Sequence, residues 1–138
     1  MKVFLGGTVN NSSWREELIP MLVIDYFNPV IKEWDEEAYQ IELREREICD
    51  YCLYVITPKM DGIYSIAEAV DDSNKHPEKT IFCFLLQDGL TTFTSHQIKS
   101  LEKTKIMIIK NGGLAFDTLE EVAGFLNASL LGTDQPLI

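Results

Sequence analysis

The chain has 138 residues, 46% of them hydrophobic and 25% charged, and its 12 basic and 22 acidic side chains give a net charge of −10. That length and balance fit one globular domain with a real core and exclude a disordered or membrane-embedded chain. The acidic excess repels polyphosphate backbones, so a small molecule, rather than a nucleic-acid polymer, is the expected partner.

In chain order, KVFLG (2–6) is a short apolar strand, followed by the small polar loop GTVNNSSW. Ser12 or Ser13 is placed to cap a helix through WREELIPML, with Glu16 near the capping-box position and Pro20 ending or kinking it. LVIDYF (22–27) reads as the second strand, broken by Asn28 and Pro29. Residues 35–49, DEEAYQIELREREIC, form the clearest helix. Asp35 is its expected cap, Ala38, Ile41, Glu45 and Ile48 trace one stripe, and Glu42 and Arg46 are spaced as a solvated i,i+4 pair. YCLYVIT (51–57) and TIFCFLL (80–86) are continuous apolar runs, as central parallel strands are when helices cover both faces. A helix from about Tyr64 to Asn74 joins them. A helix over Ser95–Lys110, a Gly112–Gly113 stop, a short LAFD strand and a closing helix TLEEVAGFLNASLL complete the pattern.

The alternation predicts a three-layer α/β domain of flavodoxin-like type over residues 1–132, with five parallel strands in the order 2-1-3-4-5 and a loose tail at 133–138. The apolar runs are too short to span a bilayer, and MKVFLGG enters a strand without a signal-peptide pattern, so no membrane and a cytoplasmic location are expected. Three cysteines without regular spacing are not a disulfide framework. Cys49 and Cys52 form a C-x-x-C, but Cys52 falls inside a strand, where no helix N-terminus lowers its pKa. His76 and His96 have no metal-ligand spacing. No metal or cofactor is implied.

The loops GGTVNNSS and PKMDGIYS follow strands 1 and 3, and both open on the carboxyl rim, near the switch point where such folds bind ligands. The first offers close backbone approach and hydroxyls at a helix start, yet it is neither a P-loop nor G-x-G-x-x-G, and a plain strand-to-helix turn accounts for it as well. In the second, Asp61 and Gly62 make a turn and Glu68 follows one and a half helical turns later. Ile63, Ile66, Ala67 and Val70 make the expected buried stripe. Glu68 falls beside it, on the side of Tyr64 and Asp72, a position that pattern alone assigns to solvent. Asp50, at the start of strand 3, reads as an ordinary helix-ending polar residue. Arg15, one turn into the first helix, has no fixed direction from pattern.

KVFLGGT followed by CDYCLYVITPKMDGIYSIAEAVDDSNK resembles the nucleoside 2-deoxyribosyltransferase family, and more narrowly its nucleoside 2-deoxyribosyltransferase-like subgroup. WREELIP, YFNPV, ELREREICD and KTIFCFL belong to the likeness, which runs from residue 2 to about 127. The resemblance implies an enzyme that transfers or hydrolyses the N-glycosidic bond of 2-deoxyribonucleosides. Glu68 would be the nucleophile, attacking the anomeric carbon and leaving a glycosyl-enzyme ester that a second base or water resolves. Asp50 and Asp61 would face the nucleobase, one carboxyl staying protonated while Glu68 is ionised. Phe4, Gly6, Gly7, Thr8, Ser12, Met60, Gly62, Tyr64 and Ser65 would form the substrate surface. Phe4 stands where the family has a Tyr that holds the nucleophile, and Tyr64 is the nearby hydroxyl that would replace it. The Asp61-to-Glu68 spacing is one residue longer than in well-known transferases.

The resemblance also implies a homo-oligomer, a dimer or a multiple of one, for which this chain offers Ile106, Ile108 and Ile109, besides its C-terminal tail, as apolar surface candidates. The substrate is expected to be a deoxynucleoside rather than its monophosphate, since Lys59 is the only cation in the loop after strand 3. A second reading stays open, because flavodoxin-like folds also serve as non-catalytic nucleotide- or flavin-binding modules.

Overall fold

The computed structural model describes residues 1–30 and 35–130; the expected tail at 133–138 and the domain limit at 132 lie outside them. Strand β3 (Tyr51–Ile56) is the centre of the molecule, flanked by β1 (Lys2–Gly7) and β4 (Thr80–Phe84). With the edge strands β2 (Asp25–Phe27) and β7 (Leu114–Phe116) the sheet order is β2-β1-β3-β4-β7, every pair parallel, which is the predicted 2-1-3-4-5 arrangement. The apolar runs are continuous because alternate residues feed two cores. Val3, Leu5, Leu53 and Val55 pack under α1 (Trp14–Leu18) and α5 (Leu119–Ser129). On the other face Phe4, Cys52, Tyr54 and Ile56 pack with Ala69 of α3 (Tyr64–Lys75) and with Leu101 and Ile108 of α4 (Ser95–Lys110). The result is a three-layer flavodoxin-like fold.

Several local expectations change in the structure. Ser13 occupies the N-cap of α1 but makes no side-chain cap bond, and the helix gives way to a 3-10 turn at Ile19–Met21, around Pro20. Strand β2 is three residues long because the chain before it is held by a side chain: Val23 N–H donates to Asn127 Oδ1 (2.9 Å), and Asn127 Nδ2 donates to the Met21 carbonyl (2.8 Å). After β4 the chain forms an unforeseen hairpin, β5 (Gln87–Asp88) and β6 (Thr91–Thr92), turning at Gly89 with φ +61°. Ile108 is a core residue rather than a surface one, while Ile106 and Ile109 are exposed. All three cysteines are free and buried, and burial pushes the thiols of Cys49, Cys52 and Cys83 up, to about 11, 12 and 12.

The two helices nearest the rim differ most from their periodicity. In α3 the buried residues are Glu68, Ala69, Asp72 and Ser73; Ile63 is 69% exposed and Ala67 is also exposed, with Ile66 and Val70 half-buried. Helix α2 (Glu36–Ile48), capped by Asp35 accepting from Ala38 N–H (2.8 Å), leaves Ile41 and Ile48 exposed and turns Glu42 and Arg46 partly inward. Lys79 Nζ anchors its last turn by donating to the Glu47 (2.7 Å) and Cys49 (3.3 Å) carbonyls. Polar pairing between the helices outweighs their apolar stripes.

Candidate active site

Gly6 and Gly7 end β1, and neither position admits a side chain. Gly7 sits at φ +127°, where a Cβ would lie 2.0 Å from the Val55 carbonyl oxygen; at Gly6 a Cβ would lie 2.8 Å from the Tyr54 ring. The two rim loops are then zipped together. Thr8 N–H donates to the Val55 carbonyl (2.9 Å), and Thr8 Oγ1 accepts from Thr57 N–H (2.9 Å). Asp61 N–H donates to Asn10 Oδ1 (3.2 Å), and Lys59 Nζ donates to the Asn11 carbonyl (3.2 Å).

Between these loops, α2 and the start of α3 lies a cavity of about 250 Å³. Phe4, Val9, Pro29, Val30 and Tyr64 give it apolar walls; Gly6, Gly7 and Ser65 contribute backbone and a hydroxyl; Arg15, Glu42 and Glu68 bring charge. A smaller recess of about 130 Å³ adjoins it, lined by Thr8, Asn10, Ile56 and Gly62 and sharing Gly7, Val9, Tyr64 and Ser65. A mostly apolar hollow with a few convergent polar groups is the usual form of a small-molecule site.

Glu68 is 8% exposed, at the cavity wall. Behind it stands a guanidinium that the sequence reading assigned to solvent. Arg46 Nη1 forms an ion pair with Glu68 Oε2 at 3.4 Å. Arg46 Nη2 donates to Asp72 Oδ1 (2.7 Å), and Nε donates to Asp72 Oδ2 (3.2 Å) and to the Tyr54 hydroxyl (3.1 Å). The Tyr54 hydroxyl in turn donates to Asp72 Oδ2 (2.5 Å). Burial pushes the Glu68 carboxyl up to about 7; Arg46 opposes that, while Glu42 and Asp72 add to it. Burial, ahead of the neighbouring Cys52 and Asp72, also raises the Tyr54 phenol well above its ordinary range. A buried carboxyl at the wall of a cavity, raised toward neutrality by its surroundings, is a candidate for a functional group.

Arg15 turns inward. It is 4% exposed and donates to the carbonyls of Leu5 (2.9 and 3.1 Å), Thr8 (2.7 Å) and Gly7 (3.4 Å), gathering the carboxyl end of β1. Burial lowers it to about 10.

The other expected site residues are dispersed. Phe4, Gly6, Gly7, Tyr64, Ser65 and Glu68 meet in the cavity, and Thr8 and Gly62 in the recess. Met60 packs against the core behind the rim. The Ser12 hydroxyl donates to Asp88 Oδ2 of the hairpin (2.6 Å), with Lys59 Nζ 3.7 Å from the same carboxylate. Burial works against ionised Asp88, but the hydrogen bonds from Ser12 and Thr57 and the Lys59 charge hold it below its ordinary value. Asp61 is exposed on the rim loop. Asp50 is not brought to the cavity: it precedes β3 at the amino end of the sheet, where its carboxylate accepts from Lys2 N–H (2.8 Å) and faces the N-terminal amine at 3.9 Å. Phe4 packs against Tyr54, ring centroids 6.4 Å apart, but the Tyr54 hydroxyl serves Asp72; no hydrogen bond joins Tyr64 to Glu68 among the described residues.

Glu42 at the cavity wall, and Arg46, Tyr54 and Asp72 grouped around Glu68, are the residues that periodicity missed. One signal did exist: Tyr54 lies in the middle of a buried strand, and its hydroxyl there requires a partner. A family model described as nucleoside 2-deoxyribosyltransferase like matches residues 1–85, a span that contains every residue lining the cavity. No curated protein and no solved structure matches the chain. With the match covering more than half its length, the chain belongs to the nucleoside 2-deoxyribosyltransferase-like family.

Proposed function

We propose that the protein cleaves the N-glycosidic bond of 2-deoxyribonucleosides by covalent catalysis at Glu68. The observation that carries this reading is the buried Glu68 carboxyl at the wall of the cavity, in a chain of this family. A Glu68 oxygen bonds to the anomeric carbon as the carbon–nitrogen bond breaks, and the electron pair leaves with the base. The proton that a good leaving base needs comes from a carboxyl at the rim, for which Asp61 is the candidate. Water or a second base then attacks the same carbon and gives its proton back to Asp61, while the ester bond breaks and its electrons return to Glu68. The missing 2-hydroxyl lets positive charge develop readily at the anomeric carbon, so few catalytic groups are needed. Asp50, at the opposite end of β3, has no part in this scheme.

The rim supports a neutral nucleoside over its monophosphate. Ser12 and Lys59, the donors a phosphate would use there, are both engaged by Asp88. A homo-oligomer belongs to the same proposal, with the exposed Ile106, Met107 and Ile109 of α4 as its contact; light scattering that gave a monomer would remove that part. The activity itself is tested by incubating the protein with a panel of 2-deoxyribonucleosides and their 5′-monophosphates and measuring free base by chromatography. Base release that is lost in Glu68→Gln supports catalysis, and no release from any of them favours a binding module.

A further inference from the structure

We propose that Arg46 is a positioning residue that keeps the Glu68 carboxylate ionised and aimed at the cavity. The inference rests on Glu68 being the nucleophile, and the geometry of the cluster carries it. Helix α2 has no buried residue, yet Arg46 reaches from it across to α3, where its guanidinium meets three acids, Glu68, Asp72 and, at 3.5 Å from Nη2, Asp71. Nε and Nη2 are fixed on Asp72, which the Tyr54 hydroxyl also holds. Nη1 is left facing Glu68 at 3.4 Å, outside hydrogen-bonding geometry, as a charge rather than a clamp. Because Asp72 lies one turn after Glu68 on α3, a guanidinium anchored on one residue is held at a set distance from the other.

The charges around Glu68 make that cation necessary. From α2, Glu42 faces the same cavity; from α3, Asp72 is buried one turn on and Asp71 lies beside it; from α1, Arg15 lies at the cavity but is engaged by carbonyls; from β3, Tyr54 is neutral. Among the described residues Arg46 is the cation paired with Glu68, opposing burial and two carboxylates there, and without it the nucleophile would be largely protonated at neutral pH.

The test is a carboxyl-carbon NMR titration of Glu68 beside the pH profile of kcat/KM, in wild type, Arg46→Gln and Arg46→Lys. In Arg46→Gln the Glu68 titration is expected to rise by one unit or more from its value of about 7. At pH 6 the ionised fraction, and with it kcat/KM, then falls about tenfold per unit, recovering at high pH. Arg46→Lys is expected to restore part of both. Should Arg46→Gln fail to fold because Asp72 is left unpaired, the double variant Arg46→Gln/Asp72→Asn removes that charge, and Glu68 is expected to titrate above wild type there too. An unchanged Glu68 titration in a folded Arg46 variant would overturn the inference. A Glu68 titration that moves while the activity profile does not would instead remove Glu68 from the chemistry, leaving Arg46 nothing to position.

Discussion

Arg46 and Glu68 form an ion pair 3.4 Å long between two helices, with Glu68 buried and Arg46 half-buried. Their neighbours make the relationship asymmetric. Asp72 holds the guanidinium with the shorter contact, 2.7 Å, so Arg46 is fixed whether or not Glu68 is charged. Glu68 is the member of the pair that titrates near neutrality.

Glu68→Gln is expected to abolish base release and to stabilise the fold at alkaline pH. The carboxyl is raised from 4.5 to about 7, so between those values native Glu68 holds a proton that the unfolded chain has released. Wild-type stability therefore falls as pH rises through that window, by up to about 3 kcal/mol once complete, and glutamine feels none of it. Urea midpoints for the two proteins should nearly coincide at pH 5 and separate by pH 8. A gap of the same size at both pH values would contradict the burial argument.

Glu42→Gln moves the same group the other way. Glu42 faces Glu68 at the cavity and adds to its upward shift. Removing that negative charge lowers the Glu68 titration, so the acid limb of the kcat/KM profile should move to lower pH. An acid limb that rose, or stayed in place, would show that the two carboxyls do not interact.

Asp88→Asn is expected to change substrate preference rather than fold. It weakens the hold on Ser12 and Lys59, which then become free to meet a phosphate. The ratio of specificity constants, 5′-monophosphate over nucleoside, should rise about tenfold, equivalent to ~1.4 kcal/mol. An unchanged ratio would place the 5′ group elsewhere on the rim.

Gly7→Ala and Gly62→Ala separate backbone need from family pattern. At Gly7 both the positive φ and the Val55 carbonyl oppose a Cβ, so the variant should lose roughly 3 kcal/mol or more, or fail to fold. At Gly62 a Cβ meets nothing within 4 Å, so stability should change by less than about 0.5 kcal/mol. Equal losses in urea melts would contradict this account of the rim.

The sheet was readable from sequence because two continuous apolar runs, 51–57 and 80–86, mark buried parallel strands whatever surrounds them. The positions of Glu68 and its neighbours were not. A helical wheel ranks side chains by hydrophobicity, and on that scale Ile63 and Ala67 outrank Glu68 and Asp72. The chain buries the acids instead, because Arg46 and the Tyr54 hydroxyl wait for them on other elements, a pairing across 18 to 26 residues that no local window contains. The resemblance drew attention to Glu68 where periodicity had placed it in solvent. It also pointed to Asp50, which the register of β1 and β3 leaves at the far end of the sheet.

The most direct test of Glu68 as nucleophile is to trap the intermediate. Wild-type protein is mixed with a 2-deoxyribonucleoside, quenched in acid, digested and examined by mass spectrometry. One 2-deoxyribosyl group, ester-linked to the peptide carrying Glu68 and absent from the Glu68→Gln protein, is the predicted result. Base release that continues at the wild-type rate in Glu68→Gln, or an adduct carried by a different residue, would contradict it.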